Sequence, residues 1–470
     1  MSPAKGEKAH CYREAGDVKF LFEAGGAGQR TVGKPRAGIF FQRRINVFEP
    51  RVAALAAFIA AYVLFIFLPG RRAFVSVCGA GFVVLAGAIS AREAFWAINW
   101  NVMGIFVGTL VVADVFMESR VPAYLAEIIV DKAKNTTWAI LFLCAMTGFI
   151  SAFVENVATV LIVAPIAMSL AKKLDINPTK MMIAIAVSSN LQGTATLIGD
   201  PPSMLLGGFA KMNFVDFFFY HGRPSIFFAV EIGAIVSFGV LYLIFKEHKQ
   251  KTALVKVEKV VSWVPTVILV SLIVLLAGSS FLDTDFSYMA GSLCMIFGVA
   301  SVFWKKFVSK DSVVKGIKSL DWDTTFFLVG VFVLVGGITL TGWIEVISHW
   351  LAGVVGDDIF FGYTLLVFVS VAVSAFVDNV PFLAAMLPVA ISMSQKLQVN
   401  PQLFLFGLLI GASIGGNITP IGASANIVAC GLLKKEGYNV RFGDFVKIGL
   451  PFTIAAVAAA YLFVWFVWGT

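Results

Sequence analysis

Charge is scarce in this chain: Asp, Glu, Lys and Arg make up 14% of its 470 residues, against 59% hydrophobic ones, and the mean hydropathy is +0.88. A water-soluble domain of this length would then expose large apolar patches, which excludes a soluble globular protein. Cys11, Cys78, Cys144, Cys294 and Cys430 are odd in number and scattered, mostly inside apolar runs, which argues against a disulfide framework. His10, His221, His248 and His349 form no i, i+4 pair, and no metal site is expected of them. A P-loop of the form G-x-x-x-x-G-K-[ST] is missing, as is any cluster of nucleophile, base and orienting acid. The chain is therefore not read as an enzyme, no cofactor is expected, and any use of ATP would fall to a separate ATPase subunit. The net charge of +8 is spread along loops and forms no patch, so nucleic acid is not expected as a partner.

Long apolar runs take the place of what is missing. Val52 to Phe67, Phe74 to Ile89, Val102 to Phe116, Phe228 to Phe245, Val264 to Ala277, Met289 to Phe303, Thr325 to Leu340 and Thr453 to Trp468 each supply a helical span or most of one. Alternating barrel-strand patterning is absent. The expectation is an all-α, polytopic membrane protein in contact with the lipid bilayer, in the plasma (inner) membrane.

Inside such runs two hexapeptides nearly coincide, Ser151 to Asn156 (SAFVEN) and Ser374 to Asn379 (SAFVDN), 223 residues apart. Each sets a carboxylate, Glu155 or Asp378, beside an amide, Asn156 or Asn379. An ionisable group at the bilayer centre costs roughly 2.5 to 3.5 kcal/mol, so its presence there points to a use. The match extends outward: KLDINP at 173–178 recurs as KLQVNP at 396–401, and Asn99, Trp100, Asn101 recur as Asp321, Trp322, Asp323 at an offset of 222. SSNLQGTATLIG at 188–199 falls on GASIGGNITPIG at 411–422. The chain therefore reads as a basic tail (1–50), a first transmembrane repeat (51–245), a basic inter-repeat loop (246–261) and a second transmembrane repeat (262–470). Each repeat is expected to hold about five transmembrane helices, a re-entrant helical hairpin and a broken helix.

Five crossings per repeat would invert the second copy, and the basic residues agree. With Arg71 and Arg72 placed inside, twenty-two loop Lys and Arg fall inside, and four (Arg92, Lys211, Arg223 and Lys396) fall outside. The tail, with nine Lys or Arg before Arg51, is placed outside against this trend.

Inverted repeats with broken helices build binding sites near the midplane, where backbone freed from helical bonding lines a cavity. In the first repeat Gly193, Gly199, Pro201 and Pro202 interrupt an apolar stretch whose polar partners include Ser188, Ser189, Asn190, Gln192, Thr194 and Thr196. In the second, Gly411, Gly415, Gly416, Pro420 and Gly422 do so beside Ser413, Asn417, Thr419, Ser424 and Asn426. These are hard oxygen ligands, suited to sodium or to an oxyanion. The acids of the two tips can hold a cation or exchange a proton. Asp200 is equally well a helix cap, Asp114 reads as structural or interfacial, and Val121 to Val130 and Trp343 to Val354 read as surface-lying amphipathic helices.

On ENVATVLIVAP at 155–165, NLQGTATLIGDPP at 190–202 and DNVPFLAAMLP at 378–388, the chain resembles the ion transporter superfamily. That group includes sodium-coupled dicarboxylate and citrate carriers, arsenite permeases and certain sodium/proton antiporters; the likeness is greatest to the arsenite permease and pink-eyed dilution (P) protein branch. The resemblance implies a scaffold, a transport domain moving as an elevator, and a homodimer. It also implies one cation site at Glu155, Asn156, Asn190 and Thr194 and another at Asp378, Asn379, Asn417 and Thr419, with sodium at the tip residues Glu155, Asn156, Asp378 and Asn379. Dicarboxylate carriers typically have Ser-Asn-Thr at their tips; Glu-Asn-Val and Asp-Asn-Val here argue against a di- or tricarboxylate cargo unless the acids are protonated or cation-bound.

The leading expectation is a secondary transporter of a small anion or a metalloid oxyacid such as arsenite, coupled to sodium or protons. A sodium/proton antiporter and a passive anion channel are the alternatives. The inverted arrangement makes a topological prediction: an accessibility scan should find Lys251 inside and Lys19 and Asp357 outside. Labelling of Lys251 from the outside would eliminate the inversion.

Overall fold

The computed structural model describes residues 49–250, 259–308, 318 and 320–469. Most of the basic tail, Lys251 and Lys256 of the inter-repeat loop, and Lys310 and Lys315 lie outside the described residues.

Helices dominate. The first half runs α1 (Pro50–Phe67), α2 (Arg72–Leu85), α3 (Ala91–Ala97), α4 (Trp100–Glu118), α5 (Val121–Asp131), α6 (Thr136–Ser151), α7 (Asn156–Lys173), α8 (Thr179–Gly193), α9 (Pro201–Ala210) and α10 (Ile226–Phe245). The second half runs α11 (Val264–Ser279), α12 (Met289–Val308), α13 (Trp322–Leu340), α14 (Trp343–Val355), α15 (Ile359–Ser374), α16 (Asn379–Leu397), α17 (Pro401–Gly415), α18 (Ser424–Lys435) and α19 (Phe442–Trp468). A two-stranded turn pairs Phe219–Tyr220 with Arg223–Pro224. Among the described residues nine helices are long and apolar enough to cross a membrane, which makes the protein an integral, multi-pass membrane protein.

Helix starts recur with the sequence offset because the capping residues do. Asn99 Oδ1 accepts from the Val102 amide at 3.1 Å to open α4, and Asp321 Oδ1 accepts from Thr324 at 2.9 Å to open α13. Asn135 and Asp358 cap α6 and α15 in the same way. Helices α6 and α15 begin and end at positions 223 apart (136 and 359, 151 and 374). Each then passes through a four-residue tip, 152–155 or 375–378, into α7 or α16.

Two packed groups result. One contains α1, α2, α4, α11, α12 and α13; the other contains α6, α7, α8, α10 and α15 to α19. Within the first, α4 lies on α12 and α13 lies on α2, so each half supplies a partner to the other. Glycine makes these contacts backbone to backbone. A Cβ on Gly108 would overlap the Cys294 backbone, one on Gly104 would stand 3.0 Å from Gly291 Cα, and one on Gly330 would stand 2.5 Å from the Ser76 carbonyl carbon. In the second group Gly233 of α10 meets Ala456 of α19, its own repeat counterpart (233 + 223), with 2.9 Å from a built Cβ to the carbonyl oxygen.

Three local expectations change. The run Phe74 to Ile89 forms only the 14-residue α2 and then turns. Helix α5 is not simply surface-lying: Val121, Ala126, Glu127 and Val130 are buried. Lys305, counted among the loop charges, is buried in the last turn of α12, where it donates to Asp114 at 3.1 Å and Glu118 at 2.6 Å on α4. A buried ammonium needs such partners, and this pairing accounts for the intramembrane Asp114.

The α4–α12 seam should tolerate no side chain. Gly108→Val is expected to cost about 1–3 kcal/mol or more by overpacking, seen as a lower melting temperature in detergent. Gly239→Val, where a Cβ meets nothing within 4 Å, should leave the melting temperature unchanged.

Candidate functional site

Broken helices expose backbone groups that a membrane interior would otherwise leave unsatisfied, and the two breaks are closed by one device used twice. The Thr196 hydroxyl donates to the Ala152 carbonyl, and the Thr419 hydroxyl donates to that of Ala375, in both cases joining a break to a hairpin tip. Both pairs stand 223 apart. Gly199 and Gly422 allow this approach: a Cβ on Gly199 would overlap the Gly193 carbonyl, and one on Gly422 would lie 2.5 Å from that of Gly416. Gly193 itself must be small because Asn156 Oδ1 occupies the space a Cβ would take. Asn156 is further held by the Ser151 hydroxyl, which donates to its Oδ1 at 2.6 Å.

The tips end as helix caps. Glu155 Oε2 accepts from the Ala158 amide at 2.9 Å, and Asp378 Oδ1 accepts from that of Val380 at 3.0 Å. Asp200 opens α9 by accepting from Ser203 at 3.0 Å, which fulfils the cap reading of that residue.

These ends meet around a cavity of about 220 Å³. Glu155, Asn156, Asn190, Asp200, Asp378, Asn379 and Ser424 line it from the hairpins and breaks; Arg72, Phe106, Asp321 and Thr324 line it from α2, α4 and α13. The cavity thus lies where the two packed groups face each other. Four carboxylates and one guanidinium give a formal charge of −3 when all are ionised (4 − 1), which favours cations inside it.

Of the residues expected from the sequence, Glu155, Asn156, Asn190, Asp378 and Asn379 line the cavity. The others stand behind it. Thr196 and Thr419 pin the tips, and Gly193 seats Asn156. Thr194 donates to the Asn190 carbonyl at 3.3 Å. Ser413 is buried and its hydroxyl has no hydrogen-bond partner among the described residues. Asn417 belongs to a buried amide network: Asn190 Nδ2 donates to Asn417 Oδ1 at 2.8 Å and to Asn426 Oδ1 at 2.9 Å, while Asn417 Nδ2 donates to the Val187 carbonyl at 3.2 Å.

Arg72, Asp321 and Thr324 are the residues sequence reasoning missed. Arg72 was counted as an inside-loop charge, yet it pairs with Asp378 at 2.5 Å. The available signal was the change from Asn99 and Asn101 to Asp321 and Asp323 between the repeats, which places extra acid, and hence a need for a cation, in one copy only. Glu231, inside the span α10, is another residue sequence reasoning missed; with Gln192 it lines a largely apolar cavity of about 490 Å³.

The spans, hairpins and paired breaks define a membrane transporter fold. The chain matches the model of the citrate transporter family over residues 62–411 and 383–470, and it belongs to that family. An uncharacterized transporter of Mycobacterium bovis is 27% identical over 423 residues, covering 88% of this chain and 98% of its own. The P protein of Mus musculus is 26% identical over 488 residues, covering 86% of this chain and 59% of its own. Among solved structures, the YdaH transporter of Alcanivorax borkumensis superposes with a TM-score of 0.59 at 13% identity, covering 89% of this chain and 98% of that one. MtrF of Neisseria gonorrhoeae, from a class described as antimetabolite efflux pumps, gives 0.54 at 12% identity over 89% and 95%. The two superpositions speak to fold alone.

The amide network carries a prediction. Asn190→Ala would leave two buried carbonyl oxygens without their donor, at about 1–3 kcal/mol. The expected readout is a clear drop in melting temperature; an unchanged melt would show that the network does not hold α8 to the second break.

Proposed function

We propose that this citrate-transporter-type protein is a secondary active carrier of a small anion or oxyacid, citrate-like or metalloid, coupled to sodium or protons at the hairpin tips. The observation that carries the reading is the shared cavity: Glu155 and Asp378, from tips 223 residues apart, line one 220 Å³ space with Asn156 and Asn379 beside them. Its volume admits a small solute and few waters. With a formal charge of −3, it accepts an anion only together with cations or after protonation of its acids, which is coupling in physical form.

Transport in this reading moves the hairpins and broken helices, as a body, past α2, α4 and α13 in an elevator manner, with the two repeats inverted. The glycine-sealed contacts within the first group and the threonine pins within the second support sliding between groups over deformation inside them. The acidity of the cavity also favours a second reading, a sodium/proton antiporter, since four carboxylates suffice for cation exchange.

Proteoliposomes separate the two. Under the carrier reading, cargo uptake follows an imposed sodium or proton gradient, and Glu155→Gln lowers coupled uptake at least tenfold, the effect of about 1.4 kcal/mol of lost ion affinity. Sodium-driven pH change with no anion present would favour the antiporter. Coupled transport at full rate in both Glu155→Gln and Asp378→Asn would remove the carboxylate mechanism altogether.

A further inference from the structure

The two tips are alike in sequence and unlike in electrostatics. Asp378 receives Arg72 Nη1 at 2.5 Å, whereas among the described residues no ion pair involves Glu155. The asymmetry is written into the chain: the repeat counterparts of Asp321 and Asp323 are Asn99 and Asn101, which carry no charge to hold a cation.

Arg72 is fastened on one side only. Its Nε lies 3.4 Å from Asp323 Oδ2, its Nη2 donates to Thr324 Oγ1 at 3.0 Å, and its guanidinium carbon stands 5.2 Å from the Phe327 ring centroid. All three partners belong to α13, on which α2 itself is packed through Gly330 and Ser76. Asp378 alone comes from the other packed group. If the groups separate, Arg72 stays with α13 and Asp378 is left with an uncompensated charge, which is costly away from bulk water. Arg72 and Asp378 also border both the 220 Å³ cavity and a neighbouring one of about 490 Å³, so the pair sits where a mobile ion would pass.

We propose that Arg72 is a tethered counter-cation that excludes the mobile coupling cation from Asp378 in this conformation, so that only the Glu155 tip binds a cation here. The inference rests on the carrier reading and adds a cycle to it. On arrival in this state Asp378 exchanges its sodium ion or proton for the guanidinium, and on departure it must take one up again. The exchange is one positive charge for another: a sodium ion leaves to water without covalent change, or a proton leaves the carboxyl O–H to water, and the guanidinium takes its place beside the carboxylate. The other charged groups around the pair are Asp323, Asp321, Glu155 and Asp200, and they are present in both halves of the exchange.

The test is cation binding to the purified, full-length chain, read as sodium binding with choline as the balancing ion and, separately, as proton uptake after a pH step. Arg72→Gln should tighten binding of the coupling ion about tenfold and raise its stoichiometry by one. Asp378→Asn in the same background should abolish that gain, and Arg72→Lys should resemble the wild type. A merely structural arginine would give loss, never gain. If Arg72→Gln does not fold, the single acid variants decide: Glu155→Gln should remove cation binding while Asp378→Asn leaves it intact. Unchanged or weaker binding of both ions in folded Arg72→Gln, or equal losses in the two acid variants, overturns the proposal and leaves the carrier standing. No effect of either acid variant on either ion overturns both.

Discussion

Two threonine hydroxyls hold the centre of this protein together. A helix broken inside a membrane leaves carbonyls and amides with no water to satisfy them, and such a break persists only where protein supplies the missing partners. Thr196 and Thr419 do so by donating to the tip carbonyls of Ala152 and Ala375, which makes tip and break one object in each half. The side of the central cavity built by hairpins and breaks is hung on those two joints: Glu155 and Asn156 from one tip, Asp378 and Asn379 from the other, and the Asn190 amide that ties the first break to the second. The sites follow from the need to close the backbone.

The carboxylates at the tips show that a structural and a chemical role need not compete. Glu155 and Asp378 cap α7 and α16, and each spends one oxygen on a backbone amide. A cap accepts at one oxygen and leaves the second to the cavity, so the same side chain can shape the helix start and hold a cation. Asp200 does the same at α9. Lys305, Asp114 and Glu118, by contrast, satisfy one another between α4 and α12 and line no part of the cavity.

Much of this was legible in the sequence because duplication prints the same pattern twice. Hairpin tips, breaks and the capping positions of α4 and α13 are local features, and comparison of a chain with itself exposes them. The family resemblance implied eight site residues, of which the four tip residues and Asn190 line the cavity. Reasoning by residue type went less far with Thr196, Thr419 and Ser413, because a hydroxyl facing a carbonyl and one facing an ion look the same in one dimension. Arg72 was hidden for another reason: it follows Arg71 at the end of an apolar run, as a topogenic charge would, and its partners lie 251 to 306 positions away. Contacts of that range arise only when α2 is laid against α13 and the second tip is brought to their ends.

Helices that touch through Gly104, Gly108, Gly291 and Gly330 have little between them that can change shape. Side-chain seams deform by switching rotamers; a seam of bare backbone has none to switch, so it is mechanically stiff. Compliance must then be found elsewhere, in the elements that bridge the two groups: α9 against α4, α5 against α7 and α14 against α16. Under the proposed carrier cycle, these bridges are where any sliding of one group past the other is taken up.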